Sequence, residues 1–304
     1  MAARSSPAHP TNFDGDSEMH KSFFTASVIG AALVASQPVQ AHRSDAIWTA
    51  LNAAPGARSF VAAHRGVHGE VPENSIPALR HAIRLGVDVV EIDVRFTSDN
   101  IAVLMHDSDV ARTTNGQGHV ESMTFAQIEQ LRLLDPDGKP SRYRVPTLES
   151  ALRTARDRIV VDLHLKVDRA SEVAAILRQT GMRHALFYAD DPRWLENMQA
   201  AWQGGATLRL ARTAVELDDY VSISKPRFVH LEPAYLTSAL VAGLDQRGVR
   251  GMVNVLGATD KAAAGDDGAS YDSVIETGVT IIQTDRPQSL IARMARLGRH
   301  QTIR

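Results

Sequence analysis

The chain has 304 residues, with 33 Lys and Arg against 35 Asp and Glu, a formal net charge of −2, 44% hydrophobic residues and no cysteine. That balance argues against a polycation built to grip nucleic acid or an anionic bilayer, and it excludes a disulfide framework and lipid attachment at a cysteine. The length allows a core large enough to fold without covalent staples.

Met1 to Glu18 are polar and acid-bearing, contain Pro7, Pro10 and Gly15, and show no periodicity; they read as a disordered extension. From Met19 the character changes. His20 and Lys21 precede an apolar stretch from Phe23 to Ala35, and Val39-Gln40-Ala41 offers small residues to a signal peptidase. This order predicts a signal peptide over 19–41, cleavage after Ala41, and export to the periplasm or the medium, with a start at Met19 suiting it better than one at Met1. The apolar stretch is too short to cross ~30 Å of hydrocarbon at ~1.5 Å per residue, so no stable membrane insertion is expected. What remains, 42–304, is close to the ~250 residues of one eight-stranded α/β barrel.

That remainder alternates between the two periodicities. Strands are predicted over Phe60 to Ala63, Val87 to Val94, Ile159 to Lys166, Ala185 to Ala189, Thr207 to Ala211, Phe228 to Leu231, Gly251 to Val255 and Thr280 to Thr284. Amphipathic helices are predicted over Ser75 to Leu85, Ser171 to Gln179, Arg193 to Trp202, Ser238 to Arg247, Tyr271 to Thr277 and Pro287 to Leu297. Eight such units predict a (β/α)8 TIM barrel whose functional residues sit at the C-terminal ends of its strands. The excursion from about 96 to 148 is too long for an ordinary connection. It holds a hairpin returning through Ile101 to Met105, a helix around Phe125 to Leu133 and a charged loop from Asp135 to Arg144, and it is expected to cap the barrel mouth.

Chemistry-bearing residues cluster at the first two strand ends. The first strand delivers His64-Arg65-Gly66 into a loop, and the second carries Glu91 and Asp93 at the spacing that puts both carboxylates on one face, close enough to hold a divalent cation. The hairpin then brings His106-Asp107 back towards them. Two histidines provide for proton transfer near neutral pH, and Arg65 offers a planar fork for a phosphate, so phosphodiester hydrolysis is the reaction these residue types fit. Glu73, in Pro72-Glu73-Asn74, either belongs to this rim or merely turns the chain into a helix capped by Asn74. Further on, Asp162, His164 and Lys166 alternate along one strand and face the same way. Glu232 and Asn254 either line the pocket or serve as caps, Asp285 reads as a turn residue, and Arg112 with Gly116 and Gly118 reads as lid structure.

Taken in order, His64-Arg65-Gly66, Pro72-Glu73-Asn74, Glu91-Ile92-Asp93, His106-Asp107, Arg112-Thr113-Thr114, Pro146-Thr147-Leu148-Glu149 and Thr284-Asp285-Arg286-Pro287 resemble the motifs of the glycerophosphodiester phosphodiesterase family, over roughly residues 59 to 298. The resemblance implies metal-dependent hydrolysis of a small-molecule glycerophosphodiester to an alcohol and sn-glycerol 3-phosphate. His64 and His106 would be the acid-base pair, Arg65, Lys166 and Glu73 would contact substrate, and Glu91 and Asp93 would hold the metal. The third ligand departs from the family pattern, because His164 stands where family members usually carry a glutamate. Either His164 ligates, which favours manganese or zinc, or Asp162 ligates one step deeper and keeps an all-oxygen site for magnesium or calcium, or the metal has been lost. A lysophospholipase D-type activity and a non-catalytic phosphodiester-binding protein are the alternatives. The first requires an apolar groove at the mouth, and the second draws on the unusual His164.

Overall fold

The computed structural model describes residues 42–53, 58–300 and 302–303. The expected signal segment, 19–41, and the extension before it lie outside the described residues.

Nine strands form one sheet: β1 (Phe60–Ala63), β2 (Val89–Phe96), β3 (Ala102–Leu104), β4 (Val160–Leu165), β5 (Ala185–Tyr188), β6 (Gly205–Ala211), β7 (Phe228–Leu231), β8 (Arg250–Asn254) and β9 (Ile281–Thr284). Eight of them pair in parallel in the order β1-β9-β8-β7-β6-β5-β4-β2, and β1 pairs with β2, so the barrel closes. β3 is antiparallel to β2 and lies outside the ring, as the hairpin after the second barrel strand. The helices are α1 (Arg43–Asn52), α2 (Ile76–Leu85), α3 (Phe125–Ile128), α4 (Leu148–Ala155), α5 (Ala170–Thr180), α6 (Pro192–Ala201), α7 (Ala214–Ser224), α8 (Ser238–Gln246), α9 (Ala258–Ala263), α10 (Asp272–Ile275) and α11 (Pro287–Arg296). The (β/α)8 barrel expected from the alternating periodicities is the fold. Among the described residues no helix is long and apolar enough to cross a membrane.

Strand parity divides the core. Val61, Ala63, Val90, Ile92, Val161 and Leu163 pack with the helices in one cluster, whereas Phe60, Ala62, Val89, Val160, Leu186, Leu208, Phe228, Met252 and Ile281 form a second cluster with Ile47 and Leu51 of α1. The second cluster fills the barrel, with α1 packed into it. Continuing upward on the same parity, the inward positions become polar: Glu91 and Asp93 on β2, Asp162 and His164 on β4, Tyr188 on β5, His230 on β7, Asn254 on β8 and Gln283 on β9. The sequence therefore builds an apolar plug at one end and a polar mouth at the other.

Two local expectations are corrected. Asn74 does not cap the following helix; Ser75 does, its hydroxyl accepting from the Ala78 amide, with Pro77 in the first turn. The helix expected to run from Phe125 to Leu133 stops at Ile128, because Leu133 and Leu134 donate their amides to the carbonyls of Tyr143 and Thr113 instead. The excursion has its own small core of Val103, Met105, Val110, Val120, Ile128, Leu133 and Val145.

Candidate active site

The β2–β4 register sets Glu91 beside Asp162 and Asp93 beside His164. Each carboxylate of the β2 pair has one oxygen tied back. Glu91 Oε2 accepts from the Arg65 amide at 2.8 Å, and Asp93 Oδ2 accepts from Asn74 Nδ2 at 2.7 Å. The other oxygens, Glu91 Oε1 and Asp93 Oδ1, are buried without a hydrogen-bond partner. Both face the same imidazole nitrogen, His164 Nδ1, at 3.7 Å and 3.2 Å. Ligand atoms of Glu91, Asp93 and His164 lie within 4.8 Å of one another, a group that does not include Asp162. Two buried carboxylate oxygens without hydrogen-bond partners, converging on an imidazole, fit a divalent cation.

Electrostatics agree with that fit. Burial, followed by the charges of Asp93 and Asp162, pushes the Glu91 carboxyl well up. Burial and the Asp93 charge push Asp162 up to about 7. For Asp93 burial acts upward too, but His164, Lys166 and Arg65 outweigh it and hold the carboxyl far below the usual carboxylate range. Lys166 Nζ lies 3.2 Å from Asp93 Oδ1 and 3.0 Å from His164 Nε2. His164 is packed edge-on against Tyr188, ring centroids 4.5 Å apart.

Both motif histidines have a carboxylate on Nδ1. His64 Nδ1 is 2.7 Å from Asp285 Oδ1, and His106 Nδ1 is 2.6 Å from Asp107 Oδ1. Such an acceptor fixes the hydrogen on Nδ1 and leaves Nε2 with its lone pair. Hydrogen bonding from Arg112, then from His106, draws the Asp107 carboxyl down to about 2. Burial raises that of Asp285, but the bonds from His64 and His68 bring it well below the ordinary value. The His106 ring lies 6.3 Å from that of His164, which connects this pair to the carboxylate cluster.

Arg65 sits in a left-handed turn at φ 52°, followed by Gly66, where a Cβ would stand 2.8 Å from that of Ala78. Its Nη1 donates to Glu73 Oε1 at 2.9 Å, and its Nε lies 3.4 Å from Asp93 Oδ2. Glu73 also accepts from Arg112, Nη2 at 2.8 Å and Nη1 at 3.0 Å, while Arg112 Nε reaches Asp107 Oδ2 at 2.5 Å. Glu73 thus joins two arginines, and Arg112, expected to be lid structure, braces the His106 carboxylate. Asp285, expected to be a turn residue, is the partner of His64 and His68. Asn74 grips Asp93 twice, its Oδ1 accepting from the Asp93 amide at 3.0 Å. Pro72-Glu73-Asn74 was a signal for Asn74, but nothing local in the sequence pairs Asp285 with His64 or marks His68.

A closed (β/α)8 barrel with its titratable groups gathered at the C-terminal mouth has the layout in which loops and strand ends carry the functional residues. Residues 64–185 match the model of the glycerophosphoryl diester phosphodiesterase family. A glycerophosphodiester phosphodiesterase of Caldanaerobacter subterraneus subsp. tengcongensis is 39% identical over 111 residues, covering 36% of this chain and 46% of that protein. A glycerophosphoryl diester phosphodiesterase structure from Parabacteroides distasonis superposes with a TM-score of 0.73 at 26% identity, covering 84% of this chain and 92% of that one. A phosphodiesterase from Oleispira antarctica shares the fold at a TM-score of 0.64 and 22% identity, covering 77% of this chain and 95% of that one. The chain is thus similar to the glycerophosphoryl diester phosphodiesterase family in sequence over residues 64–185 and to glycerophosphoryl diester phosphodiesterase structures in fold over most of its length. Its matches span less than half the length of the first curated relatives.

Proposed function

We propose that this protein is an exported, metal-dependent phosphodiesterase that hydrolyses glycerophosphodiesters to an alcohol and sn-glycerol 3-phosphate. The observation that carries the reading is the pair of histidine–carboxylate couples, His64–Asp285 and His106–Asp107, beside a buried carboxylate pair with unsatisfied oxygens. Glu91, Asp93 and His164 would hold one divalent ion. When bound, it supplies positive charge against the phosphoryl oxygens. Arg65 and Lys166 add fixed positive charge at the same rim, and Glu73 sets the angle of the Arg65 fork. One histidine, neutral with Nε2 free, takes a proton from the attacking oxygen, while the other, entering as imidazolium with Nε2 protonated, gives one to the leaving alcohol; each carboxylate steadies the imidazolium form of its ring.

The Oleispira antarctica barrel has been solved with the product sn-glycerol-3-phosphate. Here a cleft of about 260 Å³ is lined by His68, Glu73, Arg112 and Asp135 together with the apolar Val71, Pro72, Leu134 and Pro136. Export rests on the order of Met19 to Ala41. It is compatible with the fold, because α1, which packs into the barrel, begins at Arg43.

The decisive experiment strips the protein of metal, then measures release of sn-glycerol 3-phosphate from several glycerophosphodiesters with magnesium, calcium, manganese or zinc restored one at a time. Turnover that returns with a divalent ion is expected. Phosphodiester binding without turnover under every metal would make this a binding protein instead. For export, N-terminal sequencing of periplasmic protein should begin at His42, and an intact Met1 or Met19 would refute it.

A further inference from the structure

A second cluster of ligating groups lies apart from the carboxylate pair. His64, His68 and Asp285 each offer a ligand atom, all within 4.8 Å of one another. Asp285 Oδ1 is 2.7 Å from His64 Nδ1 and 3.1 Å from His68 Nε2, and the two rings stand edge to face with centroids 6.5 Å apart. All three residues are partly exposed, and His68 lines the cleft of about 260 Å³, so an ion in solution can reach them.

Two imidazoles and a carboxylate form a borderline-soft donor set that suits zinc better than magnesium or calcium. Tetrahedral zinc with bonds of ~2.0–2.2 Å spaces its ligand atoms ~3.4 Å apart. The His68–Asp285 separation of 3.1 Å is close to that, and the His64–Asp285 separation of 2.7 Å must open by about 0.7 Å. The base of the site is firm. The Asp285 amide donates to Asp260 Oδ2 at 2.6 Å, and buried Asp260 is itself bonded by the hydroxyls of Tyr271 and Thr284. The carboxylate is therefore presented from a fixed backbone while the two rings adjust.

We propose that His64, His68 and Asp285 form a second, zinc-type metal site, separate from Glu91, Asp93 and His164, and that filling it silences His64. Without metal, Asp285 accepts the Nδ1 hydrogen of His64 and leaves Nε2 free to take a proton. Zinc bound to Nδ1 displaces that hydrogen, and the neutral ring carries it on Nε2 instead. No lone pair remains there for a substrate proton. The silencing rests on the reading of His64 as a proton-transfer group; the existence of the site does not.

The test counts zinc bound per chain by equilibrium dialysis in the wild type, His68→Gln and Asp285→Asn. Glutamine keeps an N–H donor for Asp285 while removing the imidazole, and circular dichroism checks that each variant is folded. Each variant should bind one zinc fewer than the wild type. Zinc inhibition, measured against each protein's own zinc-free rate with manganese in excess, should require on the order of 10-fold more zinc in His68→Gln. Equal zinc counts in wild type and both folded variants would overturn the site. Equal inhibition in wild type and His68→Gln would overturn the silencing. If the wild type proves to have no phosphodiesterase activity, the proposed function fails while the zinc count still decides the site.

Discussion

Replacing Asn74 by alanine tests whether Asp93 is held in place by one buried amide side chain. Asn74 is 3% exposed and makes two hydrogen bonds to Asp93, one to the carboxylate and one from its backbone amide. Losing the bond to a charged acceptor costs ~1.5–3 kcal/mol, and leaving a buried amide unpaired costs ~1–3 kcal/mol. Asn74 also sits at φ 50°, where alanine is less at ease than asparagine by roughly 1 kcal/mol. Together these give a loss of roughly 3.5–7 kcal/mol, a large part of the ~5–15 kcal/mol that stabilises a typical domain. Urea unfolding at pH 7 measures it directly. Asn74→Asp tolerates the same backbone and keeps an acceptor for the Asp93 amide, but it loses the same donor and sets a second carboxylate against Asp93, so it should not restore stability. Released from Asn74, Asp93 should also bind metal on the order of 10- to 100-fold more weakly. A loss below ~1 kcal/mol with wild-type metal affinity would mean that Arg65 and Lys166 alone position Asp93, and the reasoning would fail.

His64→Ala and His106→Ala should each lower turnover by ~10²- to 10⁴-fold while preserving the folded spectrum; near wild-type turnover in either would leave that histidine a structural role. His164→Glu should move the preferred ion from manganese or zinc towards magnesium or calcium, and an identical metal profile would remove His164 from the ligand set. Burial, then the charge of His164, pushes the His230 imidazole down to about 4, so the folded state resists protonation that the unfolded chain accepts from ~6.5 downward. The stability this group supplies is present above pH ~6.5 and is lost as pH falls towards 4, by ~3 kcal/mol at most. His230→Gln should flatten that part of the stability profile, and unchanged slopes in the two proteins would contradict the assignment.

The barrel was legible because its strands are short apolar runs at regular intervals. Phe60–Ala63 and Phe228–Leu231 have the predicted bounds, and the other strands differ only at their ends. Parity along β2 and β4 was equally readable, since period-two alternation needs no knowledge of the rest of the fold. Depth was not. Nothing in Val161-Asp162-Leu163-His164 says that Asp162 is buried beneath the converging oxygens while His164 meets them, because that depends on the neighbouring strand's register. Ser75, one place after Asn74 and followed by Pro77, was a readable cap signal that freed Asn74 for other work. The braces on the histidines were hidden for different reasons. Asp107 is adjacent to His106 and Arg112 lies five residues further on, yet their bonding depends on how the excursion folds back over the mouth. Asp285 meets His64 only through closure of the barrel.

That closure joins the two ends of the barrel domain in time as well as in space. β1 pairs with β9, and the residues that follow those strands, His64 and Asp285, are 221 positions apart. A ribosome releases the family-matched segment 64–185 first, with His64, His106, Arg65 and the β2 carboxylates already in it. What it lacks is the carboxylate that fixes the His64 tautomer. On the proposed chemistry, a nascent or truncated chain is idle however many motif residues it contains, and hydrolytic competence begins when the last strand docks. With the proposed export of an unfolded chain, that moment would fall after translocation, on the far side of the membrane.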